Sequence, residues 1–225
     1  MPGADLLLEL SRDENEDVCR MAAYLMRSAE GNRVPLRLLE MLDAPSGFVR
    51  RLACESLVRA NRSVPYEYVE TLSRSNDRFK AWSARMLLSF GHPDKWQEAV
   101  LVSNNVCTFI QAATALMVAW PSQERTHKVV YRFVQFIKGD LNDVDFNDLI
   151  RLLQLTLLRG ALNAIDLPEL ATVVSEEFPA DHDVMNRELI RLLVLLQAPS
   201  VKDRYLAYLE SGILDSERIH MALHL

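Results

Sequence analysis

VPLRLLEMLDAPSGFVRRLACESLVRANRS (residues 34–63) is followed at once by VPYEYVETLSRSNDRFKAWSARMLLSFG (residues 64–91), and the two stretches carry one pattern. Val34-Pro35 recurs as Val64-Pro65, Leu42 as Leu72, Val49 as Phe79 and Leu57 as Leu87, each thirty residues on. Each copy holds an apolar helix, a short polar break and a second apolar helix. A helix pair of this size cannot bury its own apolar stripes, so such pairs stack on their neighbours. A tandem period of thirty residues therefore predicts a helical solenoid rather than a catalytic domain.

Working outward, the first complete repeat has helices from Pro35 to Leu42 and from Phe48 to Ala60, and the second runs from Pro65 to Phe90. Pro35 and Pro65 mark starts, because the first turn of a helix does not use the N–H that proline lacks. Upstream, a short helix from Ala4 to Leu10 and a helix from Val18 to Ala29 read as an earlier repeat. Val18, Met21, Ala22 and Leu25 fall on one face of the latter, and Gly31 and Asn32 stop it. Downstream, Phe109, Ala113 and Met117 lie sixty residues after Val49, Ala53 and Leu57. That third copy has helices from Lys95 to Val102, capped by Asp94, and from Val106 to Trp120, stopped by Pro121. Ala53 and Ala113 sit where two helices must come close.

Beyond Trp120 the period loosens. Helices are expected from Glu124 to Lys138 and from Phe146 to Arg159, ended by Gly139 and Gly160, then from Pro168 to Phe178 and Val184 to Leu196. The last pair is Lys202 to Glu210 and Ser216 to Leu225. Ile219, Met221, Leu223 and Leu225 close the sequence without a polar cap, which predicts a fragment of a longer chain, with exposed leucines beyond Ser200. Residues 1–225 are read as a single all-α domain, an α-α superhelix.

Composition agrees with helices. The chain has 225 residues, 49% hydrophobic and 25% charged, with only seven glycines, and strand-like alternation is hard to find. The net charge of −6 argues against generic nucleic-acid binding. It also conceals a polarity: from Arg50 to Arg85 there are eight Lys/Arg against four Asp/Glu, whereas from Asp140 to Glu188 there are three against eleven. The basic stretch is either solvated helix surface or a patch for an acidic partner. Cys19, Cys54 and Cys107 form no C-x-x-C pair and read as reduced core thiols. The acidic N-terminal stretch is no secretory signal, and no apolar run reaches the roughly 18 residues of a membrane span.

The second helices resemble HEAT repeats. The residues carrying this are a branched or aromatic residue followed by a basic one, a small residue four on and a leucine four beyond: Val49-Arg50, Ala53, Leu57, and Phe79-Lys80, Ser83, Leu87. Phe109-Ile110 and Val18-Cys19 lack the basic residue. More narrowly, Phe48-Val49-Arg50-Arg51, Leu149 to Gly160, Asn186-Arg187-Glu188-Leu189 and Ile219 to Leu223 are similar to HEAT-repeat segments of large multidomain planctomycete bacterial proteins. The resemblance implies a HEAT-like helical-repeat solenoid, with the family's Asp-to-Arg contact expected only at Asp43 and Arg50. The haem-binding or dehydrogenase-like domains found elsewhere in such parents do not carry over, since C-x-x-C-H is absent.

The sequence holds few patterns of catalytic residues. His220 and His224 have the spacing of a metal pair but lack further ligands in the sequence. The His-Glu dipeptides of HEAT-like di-iron hydroxylases do not occur. Asp140, Asp143, Asp145 and Asp148 lack the glycine and terminal glutamate of a calcium loop and read as helix caps. No catalytic, cofactor-binding or metal-binding residue is assigned, and no cofactor is expected.

A binding surface remains. In a stacked array the second helices line the inner face, and equivalent positions form columns. With Val49, Leu52, Ala53, Ser56 and Leu57 buried, Arg50, Arg51, Glu55 and Arg59 point outward. One column is then Arg20, Arg51, Ala81 and Gln111, and the next is Tyr24, Glu55, Arg85 and Ala115. The expected partner site is Arg20, Tyr24, Arg51, Glu55, Arg59, Arg85 and Gln111. Its expected occupant is a protein or peptide segment bound by a non-enzymatic scaffold, with no nucleic acid and no membrane span. The competing expectation is a HEAT-like nucleic-acid binder or DNA glycosylase, whose groove Trp82, Trp120, Arg51 and Arg85 imitate.

Overall fold

Four polar side chains set where the longer helices of the N-terminal half begin. Asn15 accepts from the Asp17 N–H, Ser46 from Val49, Asp77 from Phe79 and Lys80, and Asn105 from Thr108. Each satisfies donors that the first helical turn cannot use internally. A computed structural model of the chain describes residues 2–62, 64–160, 162, 167–198 and 201–224. Among them are fourteen α-helices and no strand, so the chain is all-α. The helices divide into two compact units, Met1–Trp120 and Pro121–Leu225.

The first unit contains α1 (Ala4–Leu10), α2 (Glu16–Met26), α3 (Arg33–Met41), α4 (Gly47–Arg59), α5 (Tyr66–Ser73), α6 (Arg78–Phe90), α7 (Gln97–Val102) and α8 (Val106–Ala119). The capped helices α2, α4, α6 and α8 pack successively on one another, while α1, α3, α5 and α7 each lie against the helix that follows. Each capped helix buries a pair of small residues: Ala22 and Ala23, Ala53 and Cys54, Ser83 and Ala84, Ala112 and Ala113. They allow backbones close enough that Ser56 Oγ donates to the Ala23 carbonyl at 2.8 Å. Met26, Leu57, Leu87 and Met117 fill the space beside them.

Several expectations shift in this unit. Met21 is 56% exposed and Val18 and Leu25 are half-buried; the inward face of α2 is Ala22, Ala23 and Met26, because the alanine pair lets this helix turn its narrow side to α4. Helix α3 begins two residues before Pro35, which still lies in its first turn. A 3₁₀ turn at Pro93–Lys95 precedes α7, and the buried Trp96, with φ −140°, breaks the helical backbone; the helix starts at Gln97 with no side-chain cap from Asp94. Cys54 is buried, Cys19 and Cys107 are half-buried, and all three are free thiols.

The second unit contains α9 (Gln123–Ile137), α10 (Asp143–Gly160), α11 (Pro168–Glu176), α12 (Asp183–Leu195), α13 (Val201–Glu210) and α14 (Asp215–Ala222). Helix α10 packs on α9 and α12, and α12 on α11 and α14. Its start is earlier than expected, because Asn142 Oδ1 accepts from the N–H groups of Val144 and Asp145 and so begins the helix at Asp143. Gly160 is the last helical residue rather than the stop beyond it, and the reason for glycine is steric. A Cβ there would stand 2.3 Å from Thr126 Cγ2 on α9. Near the end of the chain Met221 is buried, while Ile219 and Leu223 are exposed; Leu225 lies outside the described residues.

Two substitutions report on these close approaches. Ala53→Leu should cost about 1–3 kcal/mol by overpacking the α4 contacts, and Gly160→Ala should cost a similar amount, about 1–3 kcal/mol, by forcing α10 from α9. Urea unfolding at neutral pH reads both. A midpoint unchanged in either variant would mean that the corresponding helices are not in tight contact.

Candidate interaction face

With the small residues of α4 and α6 turned inward, the opposite sides of these helices carry a cationic and aromatic surface. Arg51 on α4 and Arg78, Phe79, Trp82 and Arg85 on α6 line an open cleft of about 390 Å³. Arg78, Trp82 and Arg85 are spaced by four and three residues, which sets them along one side of the helix. The Arg78 guanidinium lies 4.9 Å from the centre of the Phe79 ring, and Phe79 is itself 45% exposed. Phe48, one turn before Arg51, is also exposed. Arg51 Nε donates to Glu55 Oε1 at 2.8 Å. An exposed pair of this kind contributes only about 0–1 kcal/mol, so it does not lock either side chain.

The expected site is brought together only in part. Arg51, Glu55 and Arg85 belong to the α4–α6 surface. On α2, Arg20 pairs with Asp17 at 2.7 Å, while the Arg27 guanidinium stacks 3.8 Å over Tyr24 and donates to its hydroxyl. Arg59 is exposed at the end of α4, and Gln111 on α8 is half-buried with its Oε1 enclosed. The two columns do not continue across the unit. Ala81 and Ala115 are both buried, because α6 and α8 are rotated so that Trp82 rather than Ala81 reaches the surface. Of the competing groove, Trp82, Arg51 and Arg85 share this cleft, while Trp120 lines a different one; Arg78 and Phe79 are the additions, and Phe79 aligns in sequence with the buried Val49. The 78/82/85 spacing is the signal that finds Arg78.

Arg50, expected to point outward, is 8% exposed. Its guanidinium donates to the carbonyls of Ala44 and Pro45 and to Asp77 Oδ2, the last at 2.8 Å. Lys80 answers in the other direction by donating to Asp43, which also accepts from the Tyr68 hydroxyl. Two crossed pairs thus join α4 to the start of α6 and α6 to the end of α3. They clamp the two helices that carry the cleft. Asp77 has a pKa held below its ordinary value, first by the Phe79 N–H it caps and then by Lys80 N–H and Arg50. The Asp43 carboxyl is lowered chiefly by its hydrogen bond from Lys80. Burial pushes the Cys54 thiol up to about 12, so it stays protonated and inert.

In the second unit the buried Glu188 accepts from Gln154 and Arg191, and Glu217 from Arg187. The rings of His220 and His224 meet edge to face with centres 4.9 Å apart. Among the described residues no three His, Cys, Asp or Glu side chains gather as metal ligands would. No described helix is long and apolar enough to cross a membrane.

Because both aspartates have folded pKa values below 3.8, the stability they supply is complete above that value and disappears as pH falls through the lower folded pKa. Thermal midpoints should be insensitive to these groups from about pH 5 to 7 and should drop below about pH 4. Asp77→Asn keeps the helix cap but removes the charge, and should flatten that acid slope. Equal slopes in the parent and this variant would show that Arg50 gains nothing from the carboxylate.

No protein-family model matches the chain, and no curated protein matches it. Among solved structures, one described as the crystal structure of an engineered protein, from the Northeast Structural Genomics Consortium, is similar at a TM-score of 0.40 and 16% identity, covering 88% of this chain and 97% of that one.

Proposed function

We infer that the chain is a stack of HEAT-like helix pairs, an α-α solenoid, that serves as a non-enzymatic scaffold and binds an acidic segment of another protein on the concave face formed by the second helices, at the solvent-facing sides of α4 and α6. Support for the stacked-pair reading comes from the interval of its polar contacts. Ser46 bonds Glu16, Arg50 bonds Asp77, Tyr68 bonds the Leu39 carbonyl and Arg187 bonds Glu217, with separations of 30, 27, 29 and 30 residues. The observation that carries the binding reading is the grouping of three arginines with Phe79 and Trp82 in one cleft, on a chain whose net charge is −6.

The chemistry follows from these side chains. Guanidinium groups take carboxylates in two-pronged hydrogen bonds, and the exposed rings offer large apolar contact at small entropic cost. Arginine and tryptophan are also the residues on which interface energy concentrates. A polyanionic duplex meets the same arginines but is repelled by the rest of the chain, whereas a short acidic segment need touch only the cleft.

The competing reading, a HEAT-like nucleic-acid binder or glycosylase, uses Arg51, Arg85 and Trp82 of the same cleft and is separated by salt and sequence-independent affinity. A labelled peptide rich in Asp, Glu and Phe should bind with a micromolar dissociation constant, weakened by about tenfold or more in Arg51→Glu/Arg85→Glu. Labelled duplex DNA, damaged or intact, should stay unbound at about 10⁻⁴ M protein in about 0.15 M salt. Micromolar duplex binding that falls steeply with salt and vanishes in the charge-reversed variant would replace the scaffold with the nucleic-acid reading.

A further inference from the structure

A second cleft in the first unit, separate from the arginine cluster, has the composition of a small-molecule site. It lies between the start of α5, the end of α6 and the segment 92–96, and has a volume of about 720 Å³. Small-molecule sites commonly occupy about 300–1,000 Å³ and combine apolar walls with a few convergent polar groups. The walls here are Leu87, Leu88, Phe90 and Trp120, with the Trp120 ring 6.0 Å from that of His92.

Two polar atoms among these lining residues are enclosed without an acceptor. Trp96 is only 5% exposed, yet its indole Nε1–H has no hydrogen-bond partner among the described residues. The Tyr66 hydroxyl is likewise buried and unpartnered. Indole N–H is a donor and nothing else, and tryptophan is buried in this way at a cost unless an acceptor arrives. Burial pushes the Tyr66 phenol up to about 12, so it too holds its proton at neutral pH. Exposed Arg62 and Lys95 stand at the rim, and Glu67 is the lining carboxylate. The cleft therefore has two enclosed, unpartnered donors in its lining residues, positive charge at its rim and aromatic walls.

We propose that this cleft binds a small aromatic acid, its ring between the apolar walls and its acceptor oxygens meeting the Trp96 indole N–H and the Tyr66 hydroxyl, with Arg62 and Lys95 neutralising the carboxylate. A planar ring matches Phe90 and Trp120, whose faces favour offset or edge contacts. A neutral aromatic would fill the walls but leave the rim charges unanswered. A simple inorganic anion would satisfy charge and leave the walls bare. The site is independent of the α4–α6 surface, since none of its lining residues belongs to that cluster.

Hydroxynaphthoate and naphthol, which share a ring system and differ by the carboxylate, test the assignment on the full chain by calorimetry and by the indole N–H resonances of ¹⁵N-labelled protein. Hydroxynaphthoate should bind saturably, about tenfold or more tighter than naphthol, and should move the Trp96 indole resonance. Tyr66→Phe should weaken it about tenfold, and Arg62→Ala/Lys95→Ala should erase the preference over naphthol. Trp96→Phe assigns the resonance if it folds; the other two variants alter half-buried or exposed side chains and keep the test open if it does not. Equal affinity for the two probes, unchanged affinity in Tyr66→Phe, or a Trp96 resonance that responds to neither compound because water alone fills the cleft would each overturn the proposal.

Discussion

How near α2, α4, α6 and α8 come to one another governs the first unit. A helix contact lined by leucines keeps axes apart at the wide end of the usual 8–10 Å range, and one lined by alanine and serine draws them in. Here each of the four helices buries small residues, Ala22, Ala53, Ser83 and Ala113 among them. Close approach lets side chains reach the next backbone: Ser56 bonds the Ala23 carbonyl, and the Cys54 thiol faces the Ser83 carbonyl at 3.7 Å. It also explains why the helix caps matter. Sliding one helix by a residue would bring a bulky neighbour to the contact, so the positions fixed by Asn15, Ser46, Asp77 and Asn105 are part of the packing.

The same constraint sorts the charges. A helix held by a narrow strip of small residues leaves a broad surface free. Adjacent arginines on α4 consequently meet opposite fates. Arg50 turns into the junction, where its two terminal nitrogens donate to two carbonyls and the Asp77 carboxylate, and Arg51 turns out beside Glu55. Truncating the first would leave buried acceptors without a donor; truncating the second would remove only a solvated pair. Neighbours in sequence thus divide between holding the cleft together and furnishing it.

The thirty-residue period was legible because burial repeats it: Leu57 and Leu87 are core residues, as are Ala53 and Ala113. What could not be read was the rotation of each helix about its own axis. Periodicity assigns an apolar stripe to within roughly one residue, and a shift of one residue is about 100° of helix. That margin moved Met21 to the surface and Ala81 and Ala115 into the core, and it replaced the expected columns with the Arg78–Trp82–Arg85 line. Arg50 was misplaced for a different reason. Its burial depends on carbonyls of the 44–45 turn, and backbone acceptors leave no mark in a sequence. Gly160 read as a helix stop, while its true constraint is Thr126, on another helix and 34 residues earlier.

In residues 121–225 the sequence period fades, yet the contacts keep nearly the same interval. Gln154 donates to Glu188, 34 residues on; Arg187 bonds Glu217, 30 residues on; and Arg204 reaches back 26 residues to the Phe178 carbonyl. Apolar identity can drift because leucine, valine and methionine fill similar volumes at modest cost. The separation of bonded partners drifts less, because it follows from helix and loop lengths and not from which apolar side chain fills a position. Glu217 shows how such contacts hold: its side chain is almost wholly buried, and the Arg187 hydrogen bond keeps its carboxyl below the ordinary range. The spacing of bonded partners, more than the identity of core residues, is therefore what stays nearly constant where the repeated sequence has faded.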